Sequence, residues 1–354
     1  VPTPVPVPAP VTRAPALPRP RGPLGAALID VLGRPPQTGA VPTGPVMLDP
    51  WGEDLQLSLY VCYELHYAGF AGVDPAWEWH PGLLATRSRL EHAFLTALCE
   101  AVGRPPALDQ ALADLLTEPA GGGTGPSRYL LEAGERWQAR EYLVHRSPYH
   151  LKEADPQLWA VPRLPNPAKA ALMTVQFDEY GAGRPERAHA TLFAEMMADF
   201  GLEPEYGHYL DAVPAPGLAA VNLQSMFGLH RSLRAALVGQ FATLEITSPP
   251  GAARLAQAFE RLGASAAGTR FYREHVTADA VHEQLVRRTV VAPLVAAEPE
   301  LADGIAFGIA ATGVVEDALA RHLLDSWQHG RSSLLQPLAD APGADGSNTD
   351  GAPR

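Results

Sequence analysis

REHVTADAVHE, running from Arg273 to Glu283, places His275, Asp279 and His282 at offsets of four and then three residues. At about 100° per residue, these offsets return the three side chains to within roughly 40° of one line, so on a helix all three project from one face. Two imidazoles and a carboxylate converging in this way suit a divalent first-row metal such as iron, manganese or zinc. A solvated helix face is the competing reading, because Glu274 and Glu283 flank the triplet.

Outward from this stretch the text stays helical. RFYREHVTADAVHEQLVRRTVVAPLVAA (270–297) follows VNLQSMFGLHRSLRAALVGQFATLEITS (221–248), which the spacing ends at a Pro249-Pro250 stop, and GAARLAQAFERLGA (251–264). Upstream, LQLSLYVCYELHYAGF (55–70), PGLLATRSRLEHAFLTALCEAVG (81–103), SRYLLEAGERWQAREYLVHRSPYH (127–150) and PERAHATLFAEMMADFGL (185–202) repeat apolar residues every three or four positions. Pro185 is read at the first turn of the last of these. PELADGIAFGIAATGVVEDALARHLLDSW (299–327) closes the series. Alternating patterns bounded by hairpin turns are nearly absent, so the expected fold is an all-α helical bundle.

The 354 residues carry 39 acidic and 27 basic side chains, a formal net charge of −12, with 46% hydrophobic residues. No basic stripe exists to neutralise phosphates, so nucleic acid is not an expected partner. No apolar run is long enough to span a bilayer, so no membrane partner is expected either, and a cytoplasmic location follows as an expectation. Cys62 and Cys99 alone supply neither a disulfide framework nor a thiolate metal cluster.

Nine prolines fall in residues 1–24, which are read as a solvated, disordered tail. The polar residues 337–354 are read in the same way. GGGTGPS (121–127) marks a boundary between an N-terminal helical region, 25–120, and a domain over 127–335.

Other motifs carry less. Glu64 and His66 sit two apart on different helix faces, and His145 and His150 flank Pro148 in what reads as a surface turn. GGGTG lacks the lysine and hydroxyl of a phosphate loop, and no GxSxG elbow is present.

Glu245 ends an otherwise apolar stretch with no basic neighbour in sequence, His189 lies among residues that should pack, and Glu179 closes FDE ahead of GAGRP. Taken with the triplet, the order Glu179, His189, Glu245, His275, Asp279, His282, and the text DEYGAGRPERAHATLF, resembles the haem-oxygenase-like diiron oxidases, the iron-containing redox enzymes. The resemblance spans about Ser127 to Trp327. It implies a haem-oxygenase-like bundle with an N-terminal helical extension. It also implies two ferrous ions held by those six residues, dioxygen as co-substrate, and oxidation of a small-molecule substrate by C–H abstraction or N-oxygenation, in a setting such as secondary metabolism.

Glu186, three residues before His189, competes with Glu179 for the same role, and Glu153 is a further carboxylate ligand of the kind some N-oxygenating members carry. Leu192, Phe193, Phe241, Leu244 and Phe271 lie beside these positions and would keep the site dry. Arg184, Arg187, Arg231 and Arg273 are candidate clamps for an acidic substrate. The electron donor is left open, and homodimerisation is admitted. The alternatives are a bundle that binds haem, a metal-free oxidase, and a non-catalytic helical interaction module. A haem would use one axial histidine and leave the carboxylates unexplained.

Overall fold

The structure, a computed structural model, describes residues 14–37, 41, 49–117 and 124–342, with the side chains of 277–281 outside the described residues. The elements are α1 (Pro23–Leu32), α2 (Glu53–Glu64), α3 (Pro81–Val102), α4 (Leu108–Leu115), α5 (Pro126–Glu132), α6 (Arg136–His150) and α7 (Asp155–Leu158). They continue as α8 (Asn166–Glu179), α9 (His189–Asp199), α10 (Ala215–Leu229), α11 (Arg234–Arg261), α12 (Ala266–Leu285), α13 (Ala292–Ala297) and α14 (Ala302–Gln328). No strand occurs among the described residues, and the all-α bundle is the fold.

The bundle is centred on α11, which packs along α12 on one side and α14 on the other. Small residues set the second approach. A Cβ at Gly239 would lie 2.1 Å from the Ile305 carbonyl oxygen, and one at Gly308 2.1 Å from that of Ala236. The two backbones therefore touch where any larger residue would force them apart.

Three helix readings are corrected. Pro249 and Pro250 do not stop α11, which runs through them to Arg261. The prolines remove the N–H groups that would bond the carbonyls of Glu245 and Ile246, but packing of α12 and α14 along the helix outweighs that local loss. Pro148 likewise lies inside α6, so VHRSPYH is helix and His145 is buried against Ser333, not at the surface. The third is the start of α9, which falls at His189; Pro185–Arg187 forms a separate 3-10 turn.

The tail expectations also change where residues are described. Ala71 N–H donates to the Pro15 carbonyl at 2.8 Å, Arg19 pairs with Asp211 at 3.0 Å, and Arg21 bonds Glu53 at 2.6 Å. Residues 14–24 are thus fixed on the body, at low entropic cost because their prolines already preset an extended chain. At the far end Leu338 and Ala341 join the core and Asp340 pairs with Arg140. Residues 1–13 and 343–354, and the first three glycines of the GGGTGPS boundary, lie outside the described residues.

The N-terminal helices share their core with the later ones. Leu57, Tyr60 and Val61 of α2 cluster with residues of α6, α9 and α10, while Leu55, Leu59 and Tyr63 join a second cluster with α8, α11 and α14. Phe193 and Phe271 belong to the first apolar cluster, and Val175, Phe241 and Ile246 to the second. The candidate site lies among these residues, at the seam between the clusters.

Candidate metal centre

One turn, two helix ends and the interiors of two helices deliver the side chains. Glu153 lies in the turn after α6, Glu179 is the last residue of α8, and His189 is the first of α9. Glu245 is mid-α11, and His275 and His282 are on α12, whose N-cap Ser265 accepts from Gly268 N–H.

The α8–α9 connection explains how Glu179 and His189, ten residues apart, come to face each other. Gly181, Ala182 and Gly183 all take positive φ, and the chain reverses. A Cβ on Gly181 would meet Ala188 N at 2.6 Å, so the return pass is close enough to require glycine at φ +72°. His189 Nδ1 then lies 2.8 Å from Glu179 Oε2. Glu186 is exposed on the intervening turn. The three-residue spacing brings side chains together only on a helix, and no helix connects Glu186 to His189.

Two buried groups form. Donor atoms of Glu153, Glu179, His189 and His275 lie within 4.8 Å of one another, and those of Glu179, Glu245 and His282 do likewise. Glu179 belongs to both. All six side chains are buried. Asp279 is on α12 between the two histidines, and its side chain lies outside the described residues.

The ring nitrogens have defined duties. His275 Nδ1 donates to the Phe271 carbonyl at 2.8 Å, and Nε2 faces Glu153, 3.7 Å away. His282 Nε2 lies 3.2 Å from Asp178, and its Nδ1 faces Glu245 at 3.1 Å and Glu179 at 3.8 Å. An imidazole whose one nitrogen is fixed by a carbonyl or carboxylate presents the other as a ligand.

A metal pair fits this donor set. His189 Nδ1 and Glu153 Oε2 are buried with no hydrogen bond, although His189 Nδ1 is close to a carboxylate oxygen. Buried polar atoms left in this state carry a desolvation cost that a cation between them removes. Among the described residues, the ion-pair partners of Glu153 and Glu179 are all imidazoles. Burial raises the Glu153 carboxyl, but His150 and His275 outweigh it and hold the group well below the usual carboxylate range. Burial lowers His189, and the Glu179 carboxylate more than reverses this, so its pKa ends above the ordinary imidazole value. Burial, reinforced by Glu153, Glu179 and Glu245, pushes the Tyr149 phenol up.

A cavity of about 500 Å³ abuts the centre, with Glu153, Glu179, Glu245 and His275 in its wall. Its apolar lining includes Leu244, Leu255 and Phe271. Its one lining cation, among the described residues, is Arg146, which donates to both oxygens of Glu316 at 2.9 and 2.7 Å.

The sequence reading missed several of these residues. His150 donates from Nδ1 to Glu153 at 2.9 Å and packs on Phe193 and Phe271, so it supports the site from within. The signal available was its three-residue spacing from Glu153, hidden by the reading of Pro148 as a turn. Arg146, one turn before His150, was not singled out. The arginines that were lie elsewhere: Arg184 and Arg231 are exposed, Arg187 pairs with Glu274 and Arg273 with Glu260.

Comparison with known proteins agrees with this geometry. Residues 140–315 match the profile of the iron-containing redox enzyme family, and the chain belongs to that family over this segment. The nitrosourea synthase of Streptomyces achromogenes subsp. streptozoticus is 28% identical over 172 residues, covering 47% of this chain and 36% of that protein. The chain therefore spans about a third of the length of that curated relative. No helix among the described residues is long and apolar enough to cross a membrane.

Proposed function

We propose that this member of the iron-containing redox enzymes is a non-haem diiron oxidase or oxygenase that uses dioxygen to oxidise a small metabolite. The observation that carries the reading is the pair of buried ligand groups sharing Glu179. Glu153, His189 and His275 would hold one iron, Glu245 and His282 the other with Asp279, and Glu179 would serve both. Two bound ferrous ions supply the electrons for dioxygen reduction and an oxidising centre able to abstract hydrogen from C–H or transfer oxygen to an amine.

The chain's own groups do the rest. Phe193, Phe241 and Phe271 are buried beside the ligands and exclude water, which protects a strong oxidant from discharge by solvent. His150 holds a proton on the Glu153 oxygen side of the site, at Nδ1. Tyr149, a cavity-lining phenol raised by burial and by its anionic surroundings, keeps its proton at neutral pH and is available as a hydrogen-bond donor. The cavity bounds the substrate to a small molecule, and the Arg146–Glu316 pair gives it a charged wall against which a polar end can be oriented. Turnover calls for an external electron donor.

Anaerobic loading with ferrous iron, followed by oxygen exposure with and without candidate amines and fatty or amino acids, tests the proposal. Substrate-dependent oxygen consumption with two irons per chain is expected; oxygen consumption independent of iron would refute it.

A further inference from the structure

A second buried charge cluster lies on the other side of Glu153. Lys152 is buried, and its Nζ donates to Glu64 Oε2 at 2.9 Å. Glu64 is wholly buried at the end of α2; Tyr206 donates to the same oxygen at 2.5 Å, Tyr60 lies 3.0 Å from the Tyr206 hydroxyl, and Ala68 N–H donates to Oε1 at 3.2 Å. The Lys152 ammonium also sits over the Tyr67 ring at 4.0 Å and near the Tyr60 ring at 5.2 Å. An ammonium enclosed by a carboxylate and aromatic faces is held firmly in place, because leaving the cage would strand a buried charge.

The backbone beside it is strained. Ala154 is buried and adopts φ 75°, ψ −21°, a left-handed conformation that a residue with a Cβ rarely takes. Such a conformation persists only where the surroundings over-determine it. Lys152 and Glu153 are consecutive: one side chain is locked in the cage and the next belongs to the metal group, so the peptide between them has little freedom.

The geometry points to Lys152 as a positioning residue that fixes the strained turn and aims Glu153 at the metal centre. Its cage is built largely by Tyr60, Glu64 and Tyr67, which precede the family-matched segment 140–315. The N-terminal helices thus complete the metal site without supplying a ligand. This inference rests on the proposed role of Glu153 as a ligand.

The test is an anaerobic Co2+ titration of full-length, metal-free protein, with thermal melting to confirm folding. Wild type binds two ions. Lys152→Met, which fits the cage without the charge, and Glu64→Gln should each weaken one ion at least tenfold and leave the other unchanged, as Glu153→Gln does. The double variant Lys152→Met/Glu153→Gln should bind no worse than Glu153→Gln alone, since Lys152 acts through Glu153. Two wild-type affinities in folded Lys152→Met or Glu64→Gln would overturn the inference and leave the diiron reading standing. Additive losses in the double variant would also overturn it. Wild type binding no metal would remove the diiron reading and this inference with it.

Discussion

Two buried carboxylate sites in this protein differ in what faces their oxygens. Glu141 on α6 is wholly buried and accepts from Trp327 Nε1 at 3.0 Å, Ser333 N–H at 2.9 Å, Ser333 Oγ at 2.7 Å, and the Ser332 hydroxyl. Every partner is a donor, and the result ties the 332–335 segment to the bundle. In the Glu153–Glu179–His189–His275 group the carboxylates face imidazoles, one Glu153 oxygen is met by His150 Nδ1, and His189 Nδ1 and Glu153 Oε2 have no hydrogen bond. A carboxylate whose oxygens are all met by donors is finished as structure, whereas one left with a buried, unmet oxygen beside imidazole nitrogens offers a place for a cation.

Substitutions separate the two. Glu179→Ala removes the residue common to both ligand groups, so iron content should fall from two per chain to below one, while the metal-free protein melts near the wild-type temperature. Glu141→Ala should do the reverse. It strands the Trp327 and Ser333 donors at a cost of about 3 kcal/mol, seen as a melting temperature lower by roughly 4 °C, with iron stoichiometry unchanged. Equal loss of iron in both variants would erase the distinction.

Proton competition sharpens it further. The His189 pKa is raised in the metal-free fold, so its pairing with Glu179 contributes stability fully below the unfolded value of about 6.5 and loses it as pH rises through the folded value. Glu153 is depressed, so its contribution is present above the ordinary carboxylate range and is lost as pH falls toward its folded value. Metal binding needs His189 neutral. Iron affinity measured by competition with a chelator should therefore rise with pH, with its midpoint above that of free imidazole. A midpoint below it would show that His189 is not a ligand. The smallest effect belongs to Glu186→Ala: exposed on its turn, it should leave iron content and melting unchanged.

Much of this was legible in the chain. The four-then-three spacing of His275, Asp279 and His282 reports a helix face directly, and α12 forms there. Glu179 could be preferred to Glu186 only through resemblance, since local spacing favoured Glu186; what brings Glu179 against His189 is the positive-φ reversal at Gly181–Gly183, a three-dimensional event. Prolines misled in two places. Pro148 and the Pro249-Pro250 pair read as breaks, yet both lie inside helices that tertiary packing maintains. Lys152, Arg146 and Glu316 were invisible because their meaning comes from partners 88 and 170 residues away in the chain. The residues 14–24 segment misled by composition, since its anchoring depends on Asp211, Glu53 and Ala71, none of which is local.

The central claim is that two irons share Glu179. Iron quantification combined with Mössbauer spectroscopy on anaerobically reconstituted, then oxygenated, full-length protein addresses it most directly. The account predicts two irons per chain and, after oxygen, a spin-coupled diferric pair that Glu179→Ala abolishes. A single iron per chain with the signature of an isolated high-spin ferric ion would contradict it.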